Sequence, residues 1–326
     1  MSRAAEHWFH QRAAFYVEAQ LLYHLSQLGV WHLIARDGPV TTATIAGSLD
    51  LSTSALQAVL DFVHGIDDLL EHGPDGWRVS PFGREIMQRY GRGDAINFFD
   101  VRVGGYGPVW AATDRLLRGE AVPRHGAAAA EGVYKVAARF APGVAALVDE
   151  LRPSVVLEVG VTTGLLEGLP GPRIGLDRHQ PALDEAARRA GDPAIRWVLG
   201  DVFEPATWAA DLPHDGLLFS IHFHELAAQG TERVEGLLDE LAAHLPGWRV
   251  LALEQPRLQD GDRDGTSEVD WLYAQANVLI HHLIGNGRIL YDHEWRALLD
   301  GPRRHLEAVR PLDYLGYHAY LTRLDG

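Results

Sequence analysis

The stretch that decides the fold is residues 154–177, SVVLEVGVTTGLLEGLPGPRIGLD. It contains two short apolar segments, SVVLEVG (154–160) and PRIGLD (172–177), separated by a turn that carries glycine. A glycine turn after an apolar strand lets a ligand approach the backbone, and the next helix N-terminus offers free N–H groups. The stretch therefore predicts two buried strands of a parallel sheet, with a ligand site at their carboxyl ends.

The chain that follows keeps alternating short apolar segments with amphipathic ones. Strands are predicted at 195–201, 215–223 and 248–255, helices at 181–190, 228–244, 268–284 and 292–300, and a last pair of strands at 306–311 and 316–323. This alternation is typical of a doubly wound, Rossmann-like α/β sheet, and the last two strands are predicted to form an edge hairpin. Ligands of such sheets bind beyond the carboxyl ends of the strands, so functional residues should follow each strand.

The chain before this sheet has a different pattern, which is mostly helical. Residues 6–35 are predicted to form one helix, and residues 41–87 predict two short helices followed by a hairpin with its tip at 73–76. The candidate capping residues are Thr42 or Thr44 for the first short helix and Ser52 or Thr53 for the second. This order of helices and hairpin is typical of a winged helix.

The length of 326 residues gives a prior of about two domains. We expect an N-terminal winged-helix domain at 1–105, a helical linker and pocket wall at 106–152, and the sheet domain at 153–326. No run of 18 apolar residues and no apolar signal-peptide region at the start is found. The sequence therefore predicts a cytoplasmic protein without a membrane partner.

Charge and composition exclude several classes of function. Lys and Arg number 29 against 44 Asp and Glu, a net charge of −15. Between Asp37 and Trp77 there is no lysine or arginine, so the helix at Thr53–Val63 cannot neutralise phosphates and nucleic acid is excluded as a partner. We interpret this domain as a dimerisation module that makes the protein a homodimer. Because cysteine is absent and histidines number 17, any metal site must use histidine and carboxylates.

Acidic residues follow the second and third predicted strands. Asp177 ends the second strand, where a carboxylate can accept both hydroxyls of a ribose. Asp201 and Phe203, in GDVF, follow the third strand, where an acid and an aromatic ring can bracket an adenine. The order of these residues predicts a nucleoside-containing ligand.

These residues carry a resemblance to a known family. EVGVTTG, LD at 176–177, GDVF at 200–203 and HE at 224–225 resemble the class I S-adenosylmethionine-dependent methyltransferases, and more narrowly the small-molecule O-methyltransferases with an N-terminal winged-helix dimerisation domain. The resemblance implies S-adenosyl-L-methionine as cofactor, with Glu158, Gly160 and Gly164 at its methionine part. It also implies Asp177 at the ribose and Asp201 with Phe203 at the adenine.

Two features depart from the family pattern. Thr162 stands where the family has its middle glycine, so a Cβ lies where the backbone should pass close to the cofactor. The segment between Gly164 and Asp177 is also short, with room for at most two helical turns.

The fourth strand ends in residues that suit proton transfer. By the resemblance, His224 is the general base that deprotonates an acceptor hydroxyl, Glu225 is its neighbour in the family's pair, and Glu254 orients it. A neutral imidazole has a pKa suited to that task. His222, two residues earlier in the predicted strand, should point to the same side. It is a candidate acceptor contact, and a histidine bonded to a neighbouring backbone group is the alternative.

Histidines on the helix at 268–284 leave other chemistries open. His282 is a candidate acceptor contact. The alternative is an iron-assisted C-methyltransferase of an α-keto acid, with His224 and either His281 or His282 as metal ligands. A further alternative is a non-methylating enzyme on the same scaffold.

Aromatic residues between the two predicted domains complete the set of candidates. Tyr106 and Trp110 could form a wall against a small, aromatic acceptor, or they could be interdomain core. The leading hypothesis is O-methylation of a small natural-product acceptor by a cytoplasmic homodimer.

Overall fold

The computed structural model describes residues 3–92, 96–97, 99–259, 267–312 and 316–326. The chain divides into two compact units. The N-terminal unit contains the residues up to Ala111 together with Arg124–Ala138, and the C-terminal unit contains Ala112–Pro123 and Arg139–Gly326. The segment 106–152, predicted as a linker, is therefore shared between the two units.

The N-terminal unit begins with two helices, α1 (Arg3–Gln27) and α2 (Val30–Asp37). The prediction of one helix over 6–35 was wrong, because Gly29 caps α2 in the left-handed region at φ 80°. Glycine adopts this conformation without the steric cost that a Cβ imposes, and it redirects the chain.

Two more helices and a hairpin follow: α3 (Thr42–Leu49), α4 (Thr53–Ile66), β1 (Leu70–Gly73) and β2 (Gly76–Val79). The strands pair antiparallel around the predicted tip. The Ser52 hydroxyl caps α4 by accepting from the Ala55 N–H, as predicted. The Thr41 hydroxyl caps α3 by accepting from the Thr44 N–H, so the cap lies before both predicted residues. These elements surround a core that includes Trp31, Ile45, Leu60 and Trp77.

Further helices precede the sheet in the chain. They are α5 (Pro81–Tyr90), a π-helical turn at Asp100–Gly105, α6 (Gly107–Ala111), α7 (Thr113–Leu116), α8 (Gly126–Ala137) and α9 (Ala141–Leu151). In the N-terminal unit, Asp100 and Lys135 form a buried ion pair at 3.3 Å between the π-helical turn and α8. Gln27 donates to the same carboxylate at 2.6 Å, so burial of Asp100 is compensated by polar partners.

The C-terminal unit contains a seven-stranded sheet among its described residues. Its strands are β3 (Val156–Val159), β4 (Arg173–Asp177), β5 (Ile195–Leu199), β6 (Leu217–Ser220), β7 (Arg249–Glu254), β8 (Arg304–Pro311) and β9 (His318–Leu324). The order is β5-β4-β3-β6-β7-β9-β8. The first five strands in that order are parallel, and β9 and β8 complete the sheet as an antiparallel hairpin. The predicted doubly wound sheet and its edge hairpin are confirmed.

The remaining helices connect and cover these strands. They are α10 (Gln180–Ala190), α11 (Phe223–Ala227), α12 (Thr231–His244), α13 (Glu268–Ile284) and α14 (Asp292–Leu299). The largest core of the unit packs α12, α14 and the sheet around Trp248, Trp295 and Tyr320. Among the residues that the structure describes, none of the helices is long and apolar enough to cross a bilayer.

The end of β6 differs from the prediction. The strand stops at Ser220 and α11 begins at Phe223, so the predicted strand over 215–223 is too long. His222 and His224 therefore do not alternate along one strand. The argument that they point to the same side was wrong, because a helix start turns successive side chains in different directions.

Candidate active site

Except for His282, the predicted site residues of the C-terminal unit lie at one side of the sheet, where its parallel strands end. Three strand ends lie side by side on β3, β4 and β5, and we refer to them as the β3–β5 edge. The ends of β6 and β7 continue the row, and we refer to them as the β6–β7 edge. This is the side of an open α/β sheet at which ligands bind.

The β3–β5 edge begins with the glycine turn after β3. Gly160 has φ 74° and Gly164 has φ 61°, a region that favours glycine at both positions. The Glu158 side chain is buried, and its carboxylate accepts from the Thr163 N–H at 3.3 Å and from the Thr163 hydroxyl. The carboxylate thus fixes the conformation of the turn. The short segment behind the turn forms one 3₁₀ turn at Leu165–Gly168.

Asp177 and Asp201 stand at neighbouring strand ends. β4 and β5 are paired in parallel with Asp177 opposite Leu199. Asp177 accepts from the His179 N–H at 2.9 Å, and Asp201 accepts from the Phe203 N–H at 3.0 Å. Each carboxylate is half-buried and held by one turn of its own loop. The two acids are therefore oriented before any ligand arrives.

Phe203 has a cationic neighbour that the sequence did not reveal. The Arg233 guanidinium, on α12, lies 4.3 Å from the centre of the Phe203 ring. A guanidinium over an aromatic face is attracted by the ring's negative quadrupole. The contact fixes the ring beside Asp201.

At the β6–β7 edge, His224 is bound by Glu254. The imidazole Nδ1 lies 2.8 Å from Glu254 Oε2, and the His224 backbone N–H donates to Oε1 at 3.1 Å. The Glu254 side chain is 1% exposed and the His224 side chain 14%. Because a carboxylate accepts, Nδ1 carries the proton and Nε2 of the neutral ring keeps its lone pair. This geometry suits a general base with an orienting acid.

Glu225 has a different neighbour from the one its sequence position suggests. Its Oε2 lies 3.9 Å from Nδ1 of His222, and both side chains are about one-third exposed, at 33% and 29%. The structure thus brings His224 together with Glu254, and Glu225 together with His222. Burial lowers the pKa of the His222 imidazole, against the opposing effect of the Glu225 carboxylate.

On α13, His281 rather than His282 lies beside His224 of α11. The His281 ring is buried, with its centre 4.7 Å from that of His224 and the ring planes at 66°. His282 is exposed, so the structure does not bring this predicted acceptor contact to the site. Adjacent residues on a helix point about 100° apart, and packing on His224 selected His281.

Two residues after α13 make this histidine pair possible, and neither was predicted from the sequence. Asn286 Oδ1 lies 3.0 Å from His281 Nδ1. A Cβ at Gly287 would lie 2.5 Å from His281 Nδ1 and 2.9 Å from His224 Cδ2. The sequence GNG at 285–287 could have indicated that the chain passes close to other side chains here. Among the described residues, no group of three or more histidine and carboxylate side chains is arranged to hold a metal ion.

Tyr106 and Trp110 belong to the N-terminal unit. The Tyr106 side chain is buried there and its hydroxyl lies 3.1 Å from Arg124 Nη1. Trp110 is half-buried. Their role as an acceptor wall stays a prediction.

No protein-family model matches the chain, and no curated protein matches it in sequence. Solved structures do match over nearly the whole chain. The mitomycin 7-O-methyltransferase MmcR is 18% identical, with 98% of each chain covered and a TM-score of 0.69. Human N-acetylserotonin methyltransferase, solved in complex with SAM, is 17% identical, with 100% of this chain and 99% of that chain covered and a TM-score of 0.69.

A third match has a different acceptor in its name. The N,N-8-amino-8-demethyl-D-riboflavin dimethyltransferase RosA from Streptomyces davawensis is 19% identical, with 99% of each chain covered and a TM-score of 0.63. Coverage of this extent includes both compact units. The chain therefore has the fold of the S-adenosylmethionine-dependent O-methyltransferases, a Rossmann-like sheet preceded by a mostly helical N-terminal unit.

Proposed function

We propose that the protein is an S-adenosyl-L-methionine-dependent methyltransferase that transfers the methyl group to a hydroxyl of a small natural-product acceptor. The observation that carries the proposal is the His224–Glu254 pair at the β6–β7 edge, beside the glycine turn of β3. A base held by a buried carboxylate can remove the hydroxyl proton as the acceptor oxygen becomes the nucleophile.

The β3–β5 edge fits the cofactor. Gly160 and Gly164 carry no side chain at two positions of the turn, and Asp177 and Asp201 present pre-oriented carboxylates at neighbouring strand ends. Asp177 would hold the ribose, Asp201 with Phe203 the adenine, and the turn around Glu158 the methionine part. The bound cofactor supplies an electrophilic methyl group on a sulfonium.

His224 acts on the acceptor. Nε2 of the neutral ring takes the hydroxyl proton, and Glu254 stabilises the imidazolium that forms. Glu254 also accepts a hydrogen bond from the His224 backbone N–H, and this second contact fixes the orientation of the imidazole. Much of the remaining acceleration comes from bringing the two reactants together in one orientation.

Calorimetry with S-adenosylhomocysteine tests the cofactor assignment. Binding to the full chain supports the proposal, and its absence would favour the non-methylating alternative. A panel of phenolic acceptors, followed by mass spectrometry for a gain of one methyl group, then tests the transfer.

One observation favours a second candidate function. The contact between the His224 and His281 rings places two imidazoles as neighbours, which would suit the two-histidine iron site of a C-methyltransferase of an α-keto acid. Elemental analysis decides between the two. Stoichiometric iron that is lost in both His224→Gln and His281→Gln would replace the general-base proposal.

We further propose that the N-terminal unit is a winged-helix dimerisation domain of a homodimer in the cytoplasm. Support comes from the helix–helix–hairpin order and from large apolar side chains exposed on this unit. They are Trp8, Phe15, Tyr16, Val17 and Leu28. An exposed apolar surface of this kind is typical of a protein interface. Sedimentation at micromolar concentration should give about twice 35.9 kDa.

A further inference from the structure

The side chain of His222 lies on the glycine turn of β3. A Cβ built on Gly160 would lie 2.6 Å from Cδ2 and 2.8 Å from Nε2 of the imidazole. The ring thus takes the space that any other residue at position 160 would fill. Nε2 is also 3.5 Å from the hydroxyl of Thr162, the residue that replaces the family's middle glycine.

The backbone fixes this position. The His222 N–H donates to the Ser220 hydroxyl at 3.1 Å, and that hydroxyl donates to the Val159 carbonyl at 3.3 Å. β3 and β6 are neighbouring parallel strands, with Glu158 opposite Phe219. The imidazole therefore bridges the two strand ends and is held against the turn.

His222 faces a different part of the site from His224. His224 is bound to Glu254 on β7, whereas His222 contacts the turn of β3, which lies on the other side of β6. The Glu225 carboxylate lies 3.9 Å from Nδ1 of His222. Imidazole, hydroxyl and carboxylate together offer hydrogen-bond donors and acceptors and a negative charge, which suit an α-amino acid group.

We propose, on the basis of the proposed function, that His222, Thr162 and Glu225 bind the amino-acid end of the cofactor. His222 is then a cofactor contact and not the acceptor contact that the sequence predicts. Glu225 receives the α-ammonium group and has no part in proton removal by His224. The hydroxyl of Thr162 supplies polar contact where a glycine would supply none.

Two small molecules test binding of the amino-acid end separately from binding of the rest of the cofactor. S-adenosylhomocysteine and 5′-methylthioadenosine share the adenine, the ribose and the sulfur, but only the first carries the amino-acid end. The ratio of their affinities therefore reports on the amino-acid end alone. Calorimetry of the full chain with each molecule measures it.

His222→Asn should weaken S-adenosylhomocysteine binding by about tenfold to a hundredfold, the usual cost of a hydrogen bond to a charged group. Binding of 5′-methylthioadenosine should stay within about twofold. Glu225→Gln should shift the ratio in the same direction, and Thr162→Val should shift it less. The matched control is His214→Asn, an exposed histidine just before β6.

The proposal is overturned if His222→Asn leaves both affinities unchanged, which would return His222 to the acceptor side. It is also overturned if both affinities fall equally, which would mark a structural role. Circular dichroism and a second variant, His222→Gln, separate misfolding from loss of contact. Failure of the proposed function looks different, because the wild-type chain would then bind neither molecule.

Discussion

The β3–β5 edge and the β6–β7 edge both use hydrogen bonds to carboxylates to orient their residues, yet they are built differently. At the β3–β5 edge, Asp177 is held by the N–H of His179 and Asp201 by the N–H of Phe203, each two residues along the chain. Such turns form within a single loop. The orientation of these acids is therefore a local property.

At the β6–β7 edge the contacts span long stretches of chain. His224 is held by Glu254, 30 residues away, and its ring contacts His281 on another helix. Gly287 leaves the space for that contact. The β3–β5 edge should therefore tolerate changes elsewhere in the fold, whereas the β6–β7 edge depends on several packed elements.

The largest effect is expected at the base. His224→Gln should lower the rate of methyl transfer by roughly 10²–10⁴-fold, because glutamine cannot accept the hydroxyl proton. Affinity for S-adenosylhomocysteine should be unchanged, since His224 is not among the residues assigned to the cofactor. The rate is measured with an acceptor found in the phenolic panel, and His244→Gln, at the exposed end of α12, is the control. A rate within about threefold of wild type would remove His224 from the mechanism.

A smaller effect is expected at the ribose acid. Asp177→Ala should weaken S-adenosylhomocysteine binding by about 1.5–3 kcal/mol, because a charged acceptor of two hydroxyls is lost. Calorimetry measures the loss, with Asp184→Ala on the exposed face of α10 as the control. Equal affinities in Asp177→Ala and wild type would contradict the assignment of this edge to the cofactor.

The N-terminal unit also contains a contact between residues far apart in the sequence, the acidic pair Glu18 and Asp67. Burial, together with the neighbouring Asp67 carboxyl, raises the pKa of Glu18 to about 7. Because this pKa exceeds the ordinary value of 4.5, the folded state binds the proton more tightly than the unfolded state. The resulting stability is complete at pH below 4.5 and is lost as the pH rises through about 7.

Urea unfolding between pH 5 and 8 measures this contribution, which is of the order of 2 kcal/mol. Glu18→Gln should flatten the dependence of the free energy of unfolding on pH, whereas Glu85→Gln, exposed on α5, should not. The same pH dependence in the wild type and in Glu18→Gln would show that Glu18 is ionised in the folded state throughout this range.

The smallest expected effect concerns the glycine beneath the histidine pair. Gly287→Ala should lower the free energy of unfolding by about 1–2 kcal/mol, because the new Cβ forces both imidazoles to move. Gly236→Ala, on α12 with nothing within 4 Å of the added Cβ, is the matched control and should raise stability slightly. The affinity for S-adenosylhomocysteine should be unchanged in both variants. A large loss of affinity in Gly287→Ala would show that the two edges are coupled.

Much of the fold was predictable because its signals are local. The apolar segments at 154–160 and 172–177 and the glycine turn between them predicted β3 and β4 within two residues at each end. The end of β6 was not predictable, because the segment FSIHF at 219–223 is apolar enough to continue a strand. Where the strand ends, the Ser220 hydroxyl accepts from the His222 N–H and donates to the Val159 carbonyl, contacts that the local sequence does not indicate.

By itself the sequence determined the Rossmann-like sheet and the acids at its strand ends, since the carboxyl ends of parallel strands lie on one side of the sheet. The pairing of His224 with Glu254 was predicted from the family resemblance. The tertiary structure alone decided that His281 and not His282 contacts the base, and that His222 lies on Gly160. The physical reason is packing. A helix shows several faces and a side chain near a strand end has several rotamers, and the neighbouring elements, which the local sequence does not encode, select among them.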